Sequence, residues 1–282
     1  MSIRIITDSA SDMIYGDRDD VSFLPLSVLF GDTEYLDGVN LSHREFYEKL
    51  IESDQLPTTS QISPAKFEEA YQKVQDAGDQ AIVITMSSKL SGTYQSAVIA
   101  SEGFEGTIFV VDSLNVTIGE RILVEFALRL KEQGLDIPTI VETLEREKHH
   151  IHLIALLDTL EYLKKGGRIS KTTAFAGTLL SMKPVVALQE GEIQMMGKAR
   201  GSKQGNNLLV QYIEKAGGVN FDRPFHLGYT GLSDDLLQKY IKDSAPLWAE
   251  HVDTLPVSTV GSAIGTHAGP GAIAVAFFGK EN

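Results

Sequence analysis

The chain has 282 residues and a formal net charge of −13, an excess of carboxylates that argues against a general nucleic-acid or anionic-membrane surface. Its 43% hydrophobic content can fill one large core or two modest ones and excludes wholesale disorder. The lack of Cys excludes disulfides, thiolate metal sites and a Cys nucleophile, and it fits a reducing cytoplasm.

The N-terminus enters an apolar strand at Ile3–Thr7, with no signal-peptide pattern and no apolar run of transmembrane length anywhere. Asp8-Ser9-Ala10-Ser11-Asp12 follows, a turn that either lines a site or caps the next helix. Val21–Phe30 is apolar but holds Pro25, so it reads as an edge strand or two short strands. Ser42 and Glu45 form a capping-box pattern that opens a helix. Leu56–Pro64 is a hydroxyl-rich loop containing Thr59-Ser60-Gln61. Ser63-Pro64 then starts a helix with an apolar stripe of Phe67, Tyr71 and Val74.

Ala81–Met86 predicts a buried strand and Tyr94–Ala100 a helix. Between them lies Ser87-Ser88-Lys89-Leu90-Ser91-Gly92-Thr93. A small-residue turn from strand to helix N-terminus presents unpaired N–H groups and suits an anion. Ser91 either caps the helix or contacts a ligand there. Strands at 107–111 and 151–157 and helices at 118–130 and 138–148 continue the alternation, which predicts a mostly parallel sheet with helices on both faces. His149, His150 and His152 invite a metal reading, but a helix-to-strand boundary falls there and no nearby carboxylate completes a set.

A second half begins near Asp158. A short helix over 158–165 ends at Gly166-Gly167, followed by the basic turn Arg168-Ile169-Ser170-Lys171 and a helix over 174–180. Strands are predicted at 185–188, 226–229 and 257–260, a hairpin turn at Glu190-Gly191-Glu192, and a helix over 234–241. Lys198, Arg200 and Lys203 sit among glycine and serine in a predicted loop, as a site for a phosphate or small anion, as a dock for an acidic or nucleotide-bearing partner, or as a solvated surface. Gly261–Gly271 reads as a glycine loop carrying His267, before a buried strand from Ala272 to Phe278.

Some motifs are absent. There is no G-x-x-x-x-G-K-[ST] loop for ATP, no G-x-G-x-x-G after the first strand, and Ser91 lacks the G-x-S-x-G elbow. A hydrolase with Ser91 as nucleophile, His267 as base and Asp8 or Asp112 as acid stays open, because triads have no fixed order in sequence.

Five stretches together resemble the DegV family: Thr59-Ser60-Gln61, Leu90–Ser96, Gly166–Ser170, Lys183-Pro184 and Gly265–Gly271. The resemblance runs from Asp8 to Phe278. Ile62 departs from it, since the family often has Pro there. Studied members of the family include the fatty-acid-binding subunits of bacterial fatty acid kinase. The resemblance therefore implies two α/β domains, 1–157 and 158–282, with a long-chain fatty acid buried in a tunnel. Thr59, Ser91, Gly92 and His267 would hold its carboxylate. Arg168 and Arg200 would face a separate ATP-binding kinase subunit or the acyl phosphate it forms. On this reading the chain is a cytoplasmic carrier in phospholipid metabolism. It does no chemistry alone and has no metal or other cofactor. It binds no nucleic acid and touches membranes at most transiently.

Overall fold

The apolar runs of the first half become parallel strands because each is followed by a crossover to the next. The computed structural model describes residues 2–13, 16, 18–169 and 182–280. Strands β1 (Ile3–Asp8), β2 (Val21–Leu24), β6 (Gln80–Thr85) and β7 (Ile108–Asp112) form a four-stranded sheet in the order β2-β1-β6-β7, parallel throughout. Pro25 separates β2 from β3 (Ser27–Phe30), giving the two short strands that its missing N–H predicts. β3 joins β4 (Thr33–Leu36) and β5 (Thr58–Ser60) in a small antiparallel sheet. The stretch expected to be a hydroxyl-rich loop thus contains β5.

The helices begin close to the predicted signals. α1 (His43–Glu52) has the full Ser42/Glu45 capping box, and α2 (Pro64–Asp76) buries Phe67, Tyr71 and Val74. α3 (Thr93–Ala100) follows the turn after β6. α4 (Thr117–Glu132) is apolar around most of its circumference, which suits a helix packed on several sides. It lies against β1 and β6 and also against β8 (Ile151–Leu156), β11 (Phe225–Tyr229) and β13 (Ile273–Phe278). α5 (Ile137–Glu147) and a short 3-10 turn lead into β8.

The second sheet has six strands in the order β10-β9-β8-β13-β11-β12, where β9 is Lys183–Gln189, β10 is Glu192–Ala199 and β12 is Val257–Thr259. The α/β class holds for the whole chain, but here the expectation of mostly parallel pairing needs correction. Only β11 and β12 run parallel; the other four pairings are antiparallel. One cause is the two-residue turn Glu190-Gly191, with positive φ at both positions, which folds β9 directly back on β10. β13 also inserts between β8 and β11, antiparallel to both.

β8 was expected to close the first unit. It pairs instead with β9 and β13, so this strand belongs to the second sheet. A single buried cluster spans both sheets, from Ile5 and Ile82 to Leu153, Ala276 and Phe278.

α6 (Glu161–Lys165), α7 (Gly201–Lys215), α8 (Asp235–Asp243) and α9 (Ser262–Ala268) complete the described helices. α9 corrects the predicted glycine loop: its first turn is buried against the first sheet's loops, and Gly269 ends it in the left-handed region. The predicted loop at 198–203 is also corrected, being the end of β10 and the start of α7. Ser170, Lys171 and the helix predicted over 174–180 lie outside the described residues. No helix among the described residues is long and apolar enough to cross a membrane.

Candidate functional site

The turn after β6 and the start of α3 bring Ser91 to the edge of a cavity. Gly92 is the N-cap residue of α3. Ser91, one position earlier, still satisfies an orphan amide: its Oγ accepts from Thr93 N at 3.2 Å. It also lies 2.9 Å from Thr93 Oγ1. Gly92 has no side chain for a reason of space, since a Cβ there would overlap the Gln61 amide. Gln61 Nε2 in turn donates to Ser96 Oγ at 3.0 Å. This close approach seats the end of β5 against the first turns of α3 and places Thr59 beside the same cavity.

Thr59 is paired with Val28 in the small sheet. Its Oγ1 lies 2.9 Å from His267 Nε2, on the last turn of α9. Gly166 leaves room for the imidazole, because a Cβ there would overlap His267 Nδ1. That Nδ1 is buried and has no hydrogen-bond partner among the described residues. Burial, reinforced by the Arg168 charge, pulls the imidazole from 6.5 down to about 4, so it is neutral at physiological pH. A buried N–H without a partner costs more than an unused ring lone pair. We therefore assign the proton to Nε2, which donates to Thr59 Oγ1 and leaves the Thr59 hydroxyl hydrogen free to donate elsewhere.

Arg168 follows Gly166-Gly167 and also lines the cavity. Its Nε donates to Leu90 O at 3.2 Å and its Nη1 to Gly166 O at 2.6 Å. Thr59, Ser91, Gly92, Arg168 and His267 thus lie around one space, although they are far apart in sequence.

That space has a volume of about 340 Å3 and extends to the face of the six-stranded sheet. The strand register explains why there is room. Gly228 faces Ala274, Ala274 faces Ala155 and Ala155 faces Val186, so a row of small side chains crosses four strands. Leu153, Leu188 and Ile193 line the cavity nearby. The row was not visible in the sequence, because each residue in it reads as ordinary core until the pairing is known. The packing of Gln61 against Gly92 likewise has no signal in the sequence beyond the Thr59-Ser60-Gln61 motif.

Arg200 is not among the cavity residues. It is the N-cap residue of α7 and exposed, and its backbone N donates to Gln204 Oε1 at 2.7 Å. Lys198 and Lys203 also lie outside the cavity lining. The hydrolase arrangement is not assembled. His267 Nε2 meets Thr59 rather than Ser91, and among the described residues no carboxylate meets Nδ1. Asp8 accepts from Ala10 N and Met86 N, and Asp112 from Ser88 N and Leu114 N.

Among the described residues no group of three or more His, Asp or Glu is placed to hold a metal ion. His149 and His150 sit in the exposed 3-10 turn, and His152 stacks on Phe277 at 5.2 Å.

The DegV family model, described as an uncharacterised protein family, matches residues 2–280. The chain belongs to the DegV family. A DegV domain-containing protein of Caldanaerobacter subterraneus subsp. tengcongensis is 35% identical, over 98% of each chain. The solved structure of a DegV family protein from Thermus thermophilus, described as fatty acid binding, superposes with a TM-score of 0.89 at 32% identity. The match covers 99% of this chain and all of that one. DegV of Bacillus subtilis, described as a fatty acid binding protein, gives 0.83 at 27% identity over 99% and 100% of the two chains.

Proposed function

We propose that this DegV protein binds a long-chain fatty acid, with the acyl chain in the cavity and the carboxylate beside Thr59, Ser91 and His267. The observation that carries the reading is the pairing of a neutral donor cluster with an apolar wall of small residues. A carboxylate left unpaired among these groups would be costly. Charge-assisted hydrogen bonds from the Thr59 and Ser91 hydroxyls would offset that cost. The chain itself adds about 0.8 kcal/mol per buried methylene, so a C16 tail gains on the order of 10 kcal/mol before the costs of binding. The fatty-acid-binding descriptions of the Thermus and Bacillus relatives support the same ligand class.

The carboxylate end lies beside Arg168, which is partly exposed. In this reading the protein hands the carboxylate to a separate ATP-binding kinase subunit in the cytoplasm, which makes the acyl phosphate for phospholipid synthesis. Arg168 and the exposed Arg200 face that subunit or the new phosphate. The DegV protein supplies no catalytic group and needs no cofactor.

Mass spectrometry of protein purified without added lipid tests the ligand. One fatty acid per chain, seen in the native spectrum and recovered by solvent extraction, is the expected result. Protein that is empty and also fails to load palmitate or oleate overturns the reading.

A further inference from the structure

The loop that carries Ser91 is held by groups from the second half of the chain. Ser87 is its hub. The residue is fully buried and uses every polar atom it has. Its N–H donates to Asn115 O at 2.8 Å, and its carbonyl accepts from Leu90 N at 3.0 Å and Ser91 N at 3.2 Å. Its Oγ accepts from Lys89 N at 3.2 Å and donates to Gly191 O at 2.8 Å.

Gly191 belongs to the turn between β9 and β10, in the other sheet. Its φ of +81° favours glycine. There is also no room for a side chain: a Cβ would lie 2.5 Å from Ser87 Oγ and 3.2 Å from Leu114 Cδ2. The hairpin turn therefore sits directly on the hydroxyl that folds the Ser91 loop. Arg168, also from the second half, donates to Leu90 O at 3.2 Å. The loop is gripped by the hairpin turn at Ser87 and by Arg168 at Leu90.

We propose that Ser87 and Gly191 are positioning residues for the ligand site, with the β9–β10 turn fixing where the Ser91 hydroxyl points. The ligand named in the test rests on the fatty-acid reading of the cavity; the positioning itself does not. Thr93 offers the Ser91 Oγ two neighbours, its N–H and its hydroxyl. α3 alone therefore does not settle where that hydroxyl aims. The backbone at Ser91 settles it, and that backbone is tied through the Ser87 carbonyl.

The experiment uses the full chain with Ser87→Ala, Ser87→Cys, Gly191→Ala and Ser91→Ala. Palmitate labelled with 13C at its carboxyl group is the probe, read by NMR. In the Ser87 and Gly191 variants palmitate still loads, its affinity falls by roughly tenfold, the loss of about one hydrogen bond, and its carboxyl resonance moves toward the position found in Ser91→Ala. Ser87→Cys keeps the size of the side chain but weakens the donor, so it folds where Ser87→Ala fails and gives an intermediate shift. In ligand-free protein, hydrogen exchange at the Ser91 amide speeds up by about tenfold or more relative to core amides.

A merely structural role predicts earlier melting with the carboxyl resonance and the relative Ser91 exchange unchanged, and that result overturns the proposal. If even the wild-type protein shows no bound palmitate, the fatty-acid reading fails. The exchange measurement then decides the positioning role by itself.

Discussion

Two of the molecule's buried polar regions are built in opposite ways. One is acidic: Asp8 and Asp12 follow β1, with Glu120 on α4 nearby. The other is neutral: Thr59, Ser91 and His267 around the cavity. In the acidic region each oxygen of Asp8 and Asp12 already takes an internal donor. Asp8 accepts from Ala10 N at 2.9 Å and Met86 N at 2.8 Å. Asp12 accepts from Gly261 N at 2.8 Å and from the Thr117 hydroxyl. These carboxylates staple β1 to the loop after β6, to α4 and to the start of α9. Burial pushes both up to about 7 and Glu120 well above its usual range, since each charge is costly in that setting. In the neutral region the hydroxyls have one another and an imidazole as neighbours, and they keep donors to spare. A cluster of acidic groups can thus tie elements together while a few neutral donors keep bonds to give.

The comparison breaks most sharply at Asp8. Asp8→Ala leaves the buried amides of Ala10 and Met86 without acceptors. An unsatisfied buried group costs about 1–3 kcal/mol, so the loss in stability should be about 4 kcal/mol. Denaturant unfolding measures it. The protein that remains folded should still carry its fatty acid. A variant of unchanged stability that loses the ligand would reverse the assignment of the two regions.

Local signals made most elements legible. The Ser42/Glu45 capping box, Pro64 at the start of α2, and the Phe67, Tyr71 and Val74 stripe each act within a few residues, and each appears as expected. What could not be read depends on pairing over long distances. β8 has the apolar pattern of a first-sheet strand, and only its register with Ala187 and Val275 assigns it to the second. α9 was hidden because its glycines suggest a loop, whereas its helix is supported from outside by Asp12 and Asp37, which accept from the Gly261 and Ser262 amides. Ser91 and His267 were candidates from their local sequence, and Thr59 from the resemblance. The cavity wall was not, since Gly228, Ala274 and Ala155 mean nothing until the sheet aligns them.

A smaller effect separates the regions by pH. The imidazole of His267 stays neutral in the native protein down to about pH 4, while in the unfolded chain it binds a proton near 6.5. Its contribution to stability is complete above about pH 6.5 and is lost as pH falls from there toward 4. His226, lowered to about 3 by burial and the Arg121 charge, acts in the same sense. Asp8 and Asp12 act in the opposite sense. Their native pKa values lie above the unfolded 3.8, so stability falls as pH rises from about 4 to 7. The total pH profile mixes these terms, and the difference between variants isolates one. Between pH 7 and 4, His267→Gln should lose about 2–3 kcal/mol less stability than wild type. Parallel profiles for the two proteins would show that His267 takes up its proton in the native state at the same pH as in the unfolded chain, so that burial does not hold it neutral.

The finest test concerns the hydroxyl of Thr59. With His267 Nε2–H donating to Thr59 Oγ1, the role proposed for the Thr59 O–H is to donate onward to the ligand. Thr59→Val keeps the shape of the side chain and removes both roles. Fatty acid affinity should fall by about tenfold, near 1.4 kcal/mol, the scale of one hydrogen bond. Thr59→Ser restores the hydroxyl and should recover most of that loss, because the neighbouring imidazole still orients the oxygen. Equal affinity in the Val and Ser variants, measured by titration with palmitate, would mean that the carboxylate is held by Ser91 and the first turn of α3 without Thr59. The His267–Thr59 pair would then belong with Asp8 and Asp12, as a tie between elements rather than part of the site.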